Sequence, residues 1–205
     1  MNQTAELVKL WAEYEATHKD SGIADFCHFY LTKTREQKKD ADFLGGIVPP
    51  DLQSQMAKMI GRIAKLHMSR AIQVLKECGI NNFEDFMFLN SVLKLKEPRK
   101  TEVIYQNFIE LSSGLLIIDR LIKSGHINEE NDKEDRRSKR LKITKKGKDI
   151  LSKCYKRMFE LNKEYFSMIP PDDIQLCIQL LAPVERRHAS TWLQNKGIQA
   201  GADQS

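Results

Sequence analysis

No stretch of this chain approaches the roughly 18 consecutive uncharged apolar residues that a membrane-spanning helix needs. Cysteine is scarce and scattered. Cys27, Cys78, Cys154 and Cys177 stand far apart, with no C-x-x-C and no cysteine–histidine spacing suited to a metal. That excludes a disulfide scaffold, and lone cysteines without a secretion signal read as reduced thiols. The five histidines, His18, His28, His67, His126 and His188, form no ligand pair at helical spacing. P-loop, G-x-G-x-x-G, G-x-S-x-G and H-E-x-x-H motifs are all missing, so no enzyme activity, no cofactor and no metal are expected. Ten glycines in 205 residues exclude a collagen. The first 20 residues, MNQTAELVKLWAEYEATHKD, are amphipathic with both charge signs and do not read as a signal peptide. A cytoplasmic protein is the expectation.

What is present is an ordinary globular composition with an uneven charge. Hydrophobic residues make up 41%, enough chain for a buried core in one or two small domains. The net charge is +5. Residues 132–148, DKEDRRSKRLKITKKGK, hold nine basic and three acidic residues, a local +6, so the rest of the chain sums to −1. Excess charge gathered in one short stretch points to a polyanion contact rather than to general solubility.

Helical periodicity dominates the remainder. Leu7, Trp11 and Tyr14 mark an amphipathic helix over 4–18, broken at Asp20–Ser21–Gly22. Ile23, Phe26, Cys27 and Tyr30 form a second stripe that decays into TKTREQKKD. Gly45, Gly46, Pro49 and Pro50 then punctuate the chain, so residues 1–46 read as a helical appendage. A long stripe follows from Leu52 through Met56, Met59, Ile60, Ile63, His67, Ala71 and Val74 to Cys78, about 40 Å of helix. Asn82 is placed to cap a helix that ends before Pro98, and a shorter one spans Thr101 to Phe108. Ser112 or Ser113 is expected to cap the next, which carries Ile117, Ile118, Leu121 and Ile122 and closes at Gly125. Two short helices so spaced fit a helix-turn-helix. From Ile127 a hairpin with a polar tip returns through RRSKRLKI, where Leu141 and Ile143 alternate with basic residues. Thr144 caps a further long helix, and Pro171-Asp172-Asp173 starts the last one. Residues 197–205 read as a disordered tail. Cys78, Cys154 and Cys177 lie on apolar faces and are expected to be buried, leaving Cys27 as the loose thiol.

Residues 119–151 contain three phrases in order: Asp119-Arg120-Leu121 with Gly125, then Asp135-Arg136-Arg137, then Ile143-Thr144-Lys145-Lys146-Gly147. This stretch resembles the wing region of MarR-type winged-helix transcriptional regulators, and the helix order from about 52 to 194 also fits. Residues 1–46 lie outside the resemblance. It implies a mostly α fold with a small two- or three-stranded β wing: a winged helix-turn-helix with long terminal dimerisation helices. The domains would be a winged DNA-binding domain at 80–147 and a helical dimerisation body from 52–78 and 148–196. A homodimer would bind double-stranded DNA at a pseudo-palindromic operator with half-sites ~10 bp apart, as a repressor released by a small ligand.

The resemblance also distributes roles. Ser112 and Ser113 at the start of the recognition helix suit phosphate or base-edge contacts. Gly114, Leu115 and Leu116 stand where the family often has polar groove-reading residues, and Leu115 and Leu116 can meet only a thymine methyl. Arg137 matches the wing-tip arginine that enters the minor groove, oriented by Asp135. Arg136, Lys139 and Arg140 would add phosphate contacts, as would Arg99 and Lys100 ahead of the preceding helix. A pocket for a small apolar or aromatic effector would draw on Met56, Met59, His67, Phe86 and Met87. Two alternatives stay open: a winged-helix module that binds protein with little affinity for DNA, and a thiol-based redox-sensing regulator.

Overall fold

The computed structural model describes residues 2–36, 49–132 and 139–198. It divides into two compact units, Met1–Gln55 and Met56–Ser205.

In the first unit, α1 (Gln3–Thr17) starts where the Asn2 side chain accepts a hydrogen bond from the Thr4 amide at 3.0 Å. The Asp20–Ser21–Gly22 break holds, with Asp20 at φ +71°. α2 (Ile23–Glu36) begins where Asp25 accepts from the Gly22 amide at 2.8 Å. Aromatic rings fasten the hairpin: Trp11 meets Phe26 edge-on at 5.1 Å, and Tyr14 lies 4.9 Å from Phe29. Tyr14 and Phe26 are buried.

The long stripe forms α3 (Leu52–Cys78), started by Asp51, whose carboxylate accepts from the Ser54 amide at 2.7 Å. The other helices of the second unit are α4 (Phe83–Leu95), α5 (Lys100–Gln106), α6 (Leu111–Lys123), α7 (Lys145–Tyr165) and α8 (Pro171–Asn195). Between α6 and α7 run β1 (Ile127–Asn131) and β2 (Lys139–Ile143). They pair antiparallel from Ile127 opposite Ile143 to Asn131 opposite Lys139. A minimal third edge joins them: Arg99 bridges to Arg140, and the Leu141 amide donates to the Pro98 carbonyl at 2.8 Å.

One core serves all of this except α8. Leu75 of α3, Phe88 and Leu89 of α4, Ile104 of α5, Ile118 and Leu121 of α6, Ile127 and Leu141 of the strands and Leu151 of α7 are fully enclosed. α8 has no fully buried residue. Large apolar side chains stay exposed along the terminal helices: Met56, Met59, Ile60 and Ile63 on α3, Phe159 (70%) on α7, and Ile178 (56%), Leu180 and Val184 on α8. Among the described residues no helix is long and apolar enough to cross a membrane.

Two expectations need correction. Ser112 and Ser113 do not cap α6: Glu110 stands at the N-cap, and the Gly114 amide already bonds the Glu110 carbonyl at 2.9 Å. The helix therefore starts before the serines, which sit in its first turn. Cys177 is exposed rather than buried, because among the described residues nothing covers its face of α8. His188 of α8 is likewise exposed. Of the expected tail, residues 199–205 lie outside the described residues, while the Ile198 amide bonds the Leu193 carbonyl at 3.1 Å.

Candidate nucleic-acid interface

The site is built on α5, the turn after it, α6 and the hairpin. The three phrases singled out in the sequence are partly legible as physical devices. Arg120 reaches back 35 residues to Asp85 on α4, its Nε 2.9 Å and its Nη2 2.5 Å from Oδ1. Asp85 is buried and also accepts from the Asn82 side chain at 3.2 Å. The hydrogen bonds that Arg120 donates to Asp85 raise the guanidinium's already high pKa further, and the pair pins α6 against α4.

The second device closes the wing. Thr144 caps α7 by accepting from the Gly147 amide at 3.0 Å, while its hydroxyl donates to the Gly125 carbonyl at 2.8 Å. Gly125, at φ +72°, takes the left-handed position that ends α6. Gly147 has no room for a side chain, since a methyl there would overlap the His126 carbonyl oxygen and lie 2.8 Å from Ile143 Cγ1. His126 is buried, with Nδ1 2.7 Å from the Ser124 hydroxyl. Burial, helped by nearby Lys146, pushes its pKa below the ordinary histidine value.

α6 shows solvent one stripe, Ser112, Ser113, Leu116, Asp119 and Lys123, with Leu116 68% exposed. Gly114 and Leu115 face the other way. Gly114 is buried, and a Cβ on it would stand 2.5 Å from Ile104 Cγ1, so its lack of a side chain lets α5 and α6 meet closely. Leu115 is half-buried against the core.

The described cations of the hairpin are met by acids of the same chain. Lys139 pairs with Glu129 at 3.0 Å and Arg140 Nε with Asp132 at 2.7 Å. Lys142 lies 3.4 Å from both Glu130 and Glu97. Lys100 also pairs with Glu129, and Arg99 lies 3.7 Å from Asp132. Burial pushes the Glu129 carboxyl up, but Lys100 and Lys139 outweigh it and hold it below the usual range.

No family model matches the chain. A mutant MarR from E. coli complexed with operator DNA superposes with a TM-score of 0.60 at 20% identity, over 65% of this chain and 98% of that one. An organohalide-sensing transcriptional regulator in its 2,4-dichlorophenol-bound form gives 0.64 at 16% identity, over 74% and 91%. In sequence, the uncharacterized HTH-type transcriptional regulator YkoM of Bacillus subtilis (strain 168) is 30% identical over 125 residues, 60% of this chain and 80% of that protein. The chain belongs to the MarR family of winged-helix transcriptional regulators. Its relatives are regulators and not enzymes.

Within this MarR-family frame the expected site residues fall into three groups. Ser112, Ser113 and Leu116 lie together on the exposed stripe, and Leu115 does not join them. Arg99, Lys100, Lys139 and Arg140 gather at the hairpin edge, each against a carboxylate. Asp135, Arg136 and Arg137 lie outside the described residues. Of the residues named for an effector pocket, Phe86 is buried, while Met56, Met59 and Met87 are exposed. His67 is half-buried, its Nε2 2.7 Å from Asn162 Oδ1.

A cavity of about 280 Å³ lies elsewhere, lined by Phe108, Glu185, His188, Ala189 and Trp192. Sequence reading missed it, along with Asp85 and Glu110. Cys154 is poorly set for sensing: it is buried, and that burial together with neighbouring Cys78 pushes its pKa up to about 12, so it stays a protonated thiol.

Proposed function

We propose that this MarR-family regulator binds double-stranded DNA as a homodimer, with α6 in the major groove and the hairpin along the backbone. The carrying observation is the exposed stripe Ser112, Ser113, Leu116 and Asp119, followed within the same unit by a basic strand holding Lys139, Arg140 and Lys142. Serine hydroxyls suit phosphate or base edges, Leu116 suits a thymine methyl, and Asp119 can accept from a cytosine amino group. The E. coli structure with operator DNA supports the reading by fold. Arg137 is the wing arginine in this proposal, aided by Asp135 and Arg136, and Arg99 and Lys100 add backbone contacts.

Dimerisation rests on the uncovered apolar residues of α3, α7 and α8. Residues 52–78 and 148–196 would form that body, 80–147 the DNA-binding domain and 1–46 an appendage. A two-fold dimer sets pseudo-palindromic half-sites ~10 bp apart. The protein would act in the cytoplasm as a repressor released by a small apolar or aromatic effector held near Met56, Met59, His67, Phe86 and Met87. The dichlorophenol-bound neighbour supports an aromatic ligand class.

A second reading, a protein-binding winged helix, is favoured by the 68% exposure of Leu116 and by the internal pairing of the hairpin cations. Fluorescence anisotropy with duplex DNA from upstream of the gene separates the two. A DNA binder with some six phosphate contacts loses about 10³-fold in affinity between 50 and 200 mM salt. Arg137→Ala should weaken binding at least ~10-fold with an unchanged melting temperature. Absence of duplex affinity at 50 mM salt overturns the proposal in favour of the protein-binding module.

A further inference from the structure

The end of α8 closes over the turn between α5 and α6. Phe108 in that turn is held at φ +54°, a conformation costly for a large aromatic residue that persists only where its surroundings fix it. Trp192 of α8 is part of those surroundings: its ring meets Phe108 edge-on at 5.6 Å and Tyr105 of α5 at 6.1 Å. One turn further along, Lys196 Nζ lies 5.5 Å over the Trp192 ring and reaches both carboxylate oxygens of Glu110, at 2.6 and 2.8 Å.

Glu110 is the N-cap residue of α6, yet its side chain makes no capping hydrogen bond. An acid at a helix start ordinarily bonds the first free amides or faces the positive end of the dipole. This carboxylate is turned onto α8 instead, with its side chain 65% exposed and that of Lys196 30% exposed. It stands two residues ahead of Ser112, where the exposed stripe of α6 begins. With α6 in the major groove, the first residues of the helix are the ones that approach the duplex. A bare carboxylate there meets phosphate as a like charge. Lys196 cancels that charge at two short contacts, and the indole face beneath its ammonium group holds it in place. The neutralising cation therefore comes from the terminal helix and not from the hairpin.

We propose that Lys196 of α8 is a further residue of the DNA interface, a positioning residue that acts through Glu110 by neutralising and holding the acid at the head of α6. The inference rests on the DNA-binding reading above. Its test is fluorescence anisotropy of the full-length protein with the same upstream duplex at 50 mM salt. Lys196→Gln bares the carboxylate and should weaken binding at least ~5-fold. Glu110→Gln should bind at least as tightly as the parent, and Lys196→Gln combined with Glu110→Gln should return to within ~2-fold of it. Lys163→Gln, the same loss of charge at an exposed position of α7, should stay within ~2-fold of the parent. The pair lies at the surface, so every variant should melt within ~4 °C of the parent. Unchanged affinity in Lys196→Gln overturns the proposal. So does weaker binding by Glu110→Gln, which makes the pair a mechanical tether. A double variant as weak as Lys196→Gln makes the lysine a direct phosphate contact, and an equal loss in Lys163→Gln makes the effect one of net charge; either overturns it too. A parent protein without duplex affinity overturns the DNA-binding reading and this inference together, and the parent alone reveals that case.

Discussion

The Asp85–Arg120 pair offers an asymmetric test of how α6 is held. Asp85 is 7% exposed, whereas the Arg120 side chain is 45% exposed. Removing the arginine strands a buried carboxylate that, among the described residues, keeps the Asn82 amide as its side-chain partner. Removing the charge from Asp85 strands a guanidinium that can still reach water. Breaking a fully buried pair costs about 3–5 kcal/mol, and the exposure of Arg120 lowers that to about 2–4 for Arg120→Met. Asp85→Asn keeps the shape and one acceptor and should cost about 1–2 kcal/mol. For a unit of 150 residues each kcal/mol moves the melting temperature by roughly 2–4 °C, so Arg120→Met should melt ~5–12 °C early. Urea denaturation followed by circular dichroism, at one fixed protein concentration, measures both variants and the double variant. The double variant should cost less than the two singles together by about 1–2 kcal/mol. Equal costs for the two singles, or strict additivity, would refute the reasoning.

Two glycines should respond to alanine with opposite signs. Gly147→Ala forces a methyl into the His126 carbonyl and should cost about 2–3 kcal/mol, while Gly61→Ala, in open space on α3, should gain about 0.5–1; thermal melts of the two variants decide. His126 predicts a pH dependence. Its folded pKa lies below the unfolded value near 6.5, so below that pH the unfolded chain binds the proton more readily. Stability should be level above about pH 6.5 and fall as the pH drops towards the folded pKa, and His126→Gln should flatten that fall in melts taken from pH 5.5 to 7.5.

Local signals carried much of the architecture. Apolar spacing located α3 and α7 because a helix face is a property of one segment. Thr144 and Gly125 were legible as helix boundaries for the same reason, since a cap bonds within a few residues. The serines misled because their residue type suits a cap, while the turn through Phe108 starts α6 earlier. Arg120's partner stands 35 residues away, beyond any local pattern. The +6 count for 132–148 missed Glu129 and Glu130, which lie just upstream and become neighbours only through the strand register. Cys177 shows the same limit in another form. An apolar stripe says which side seeks cover and does not say whether the same chain supplies it.

The acids that line the hairpin turn its grip into an exchange reaction. A lysine already engaged by Glu129 or an arginine engaged by Asp132 gains from a new anion only the difference between the two partners. Any polyanion meeting this edge must also approach the carboxylates it displaces. Loose encounters are thereby discouraged, and a lasting hold falls to whatever shape can repay several such swaps at once.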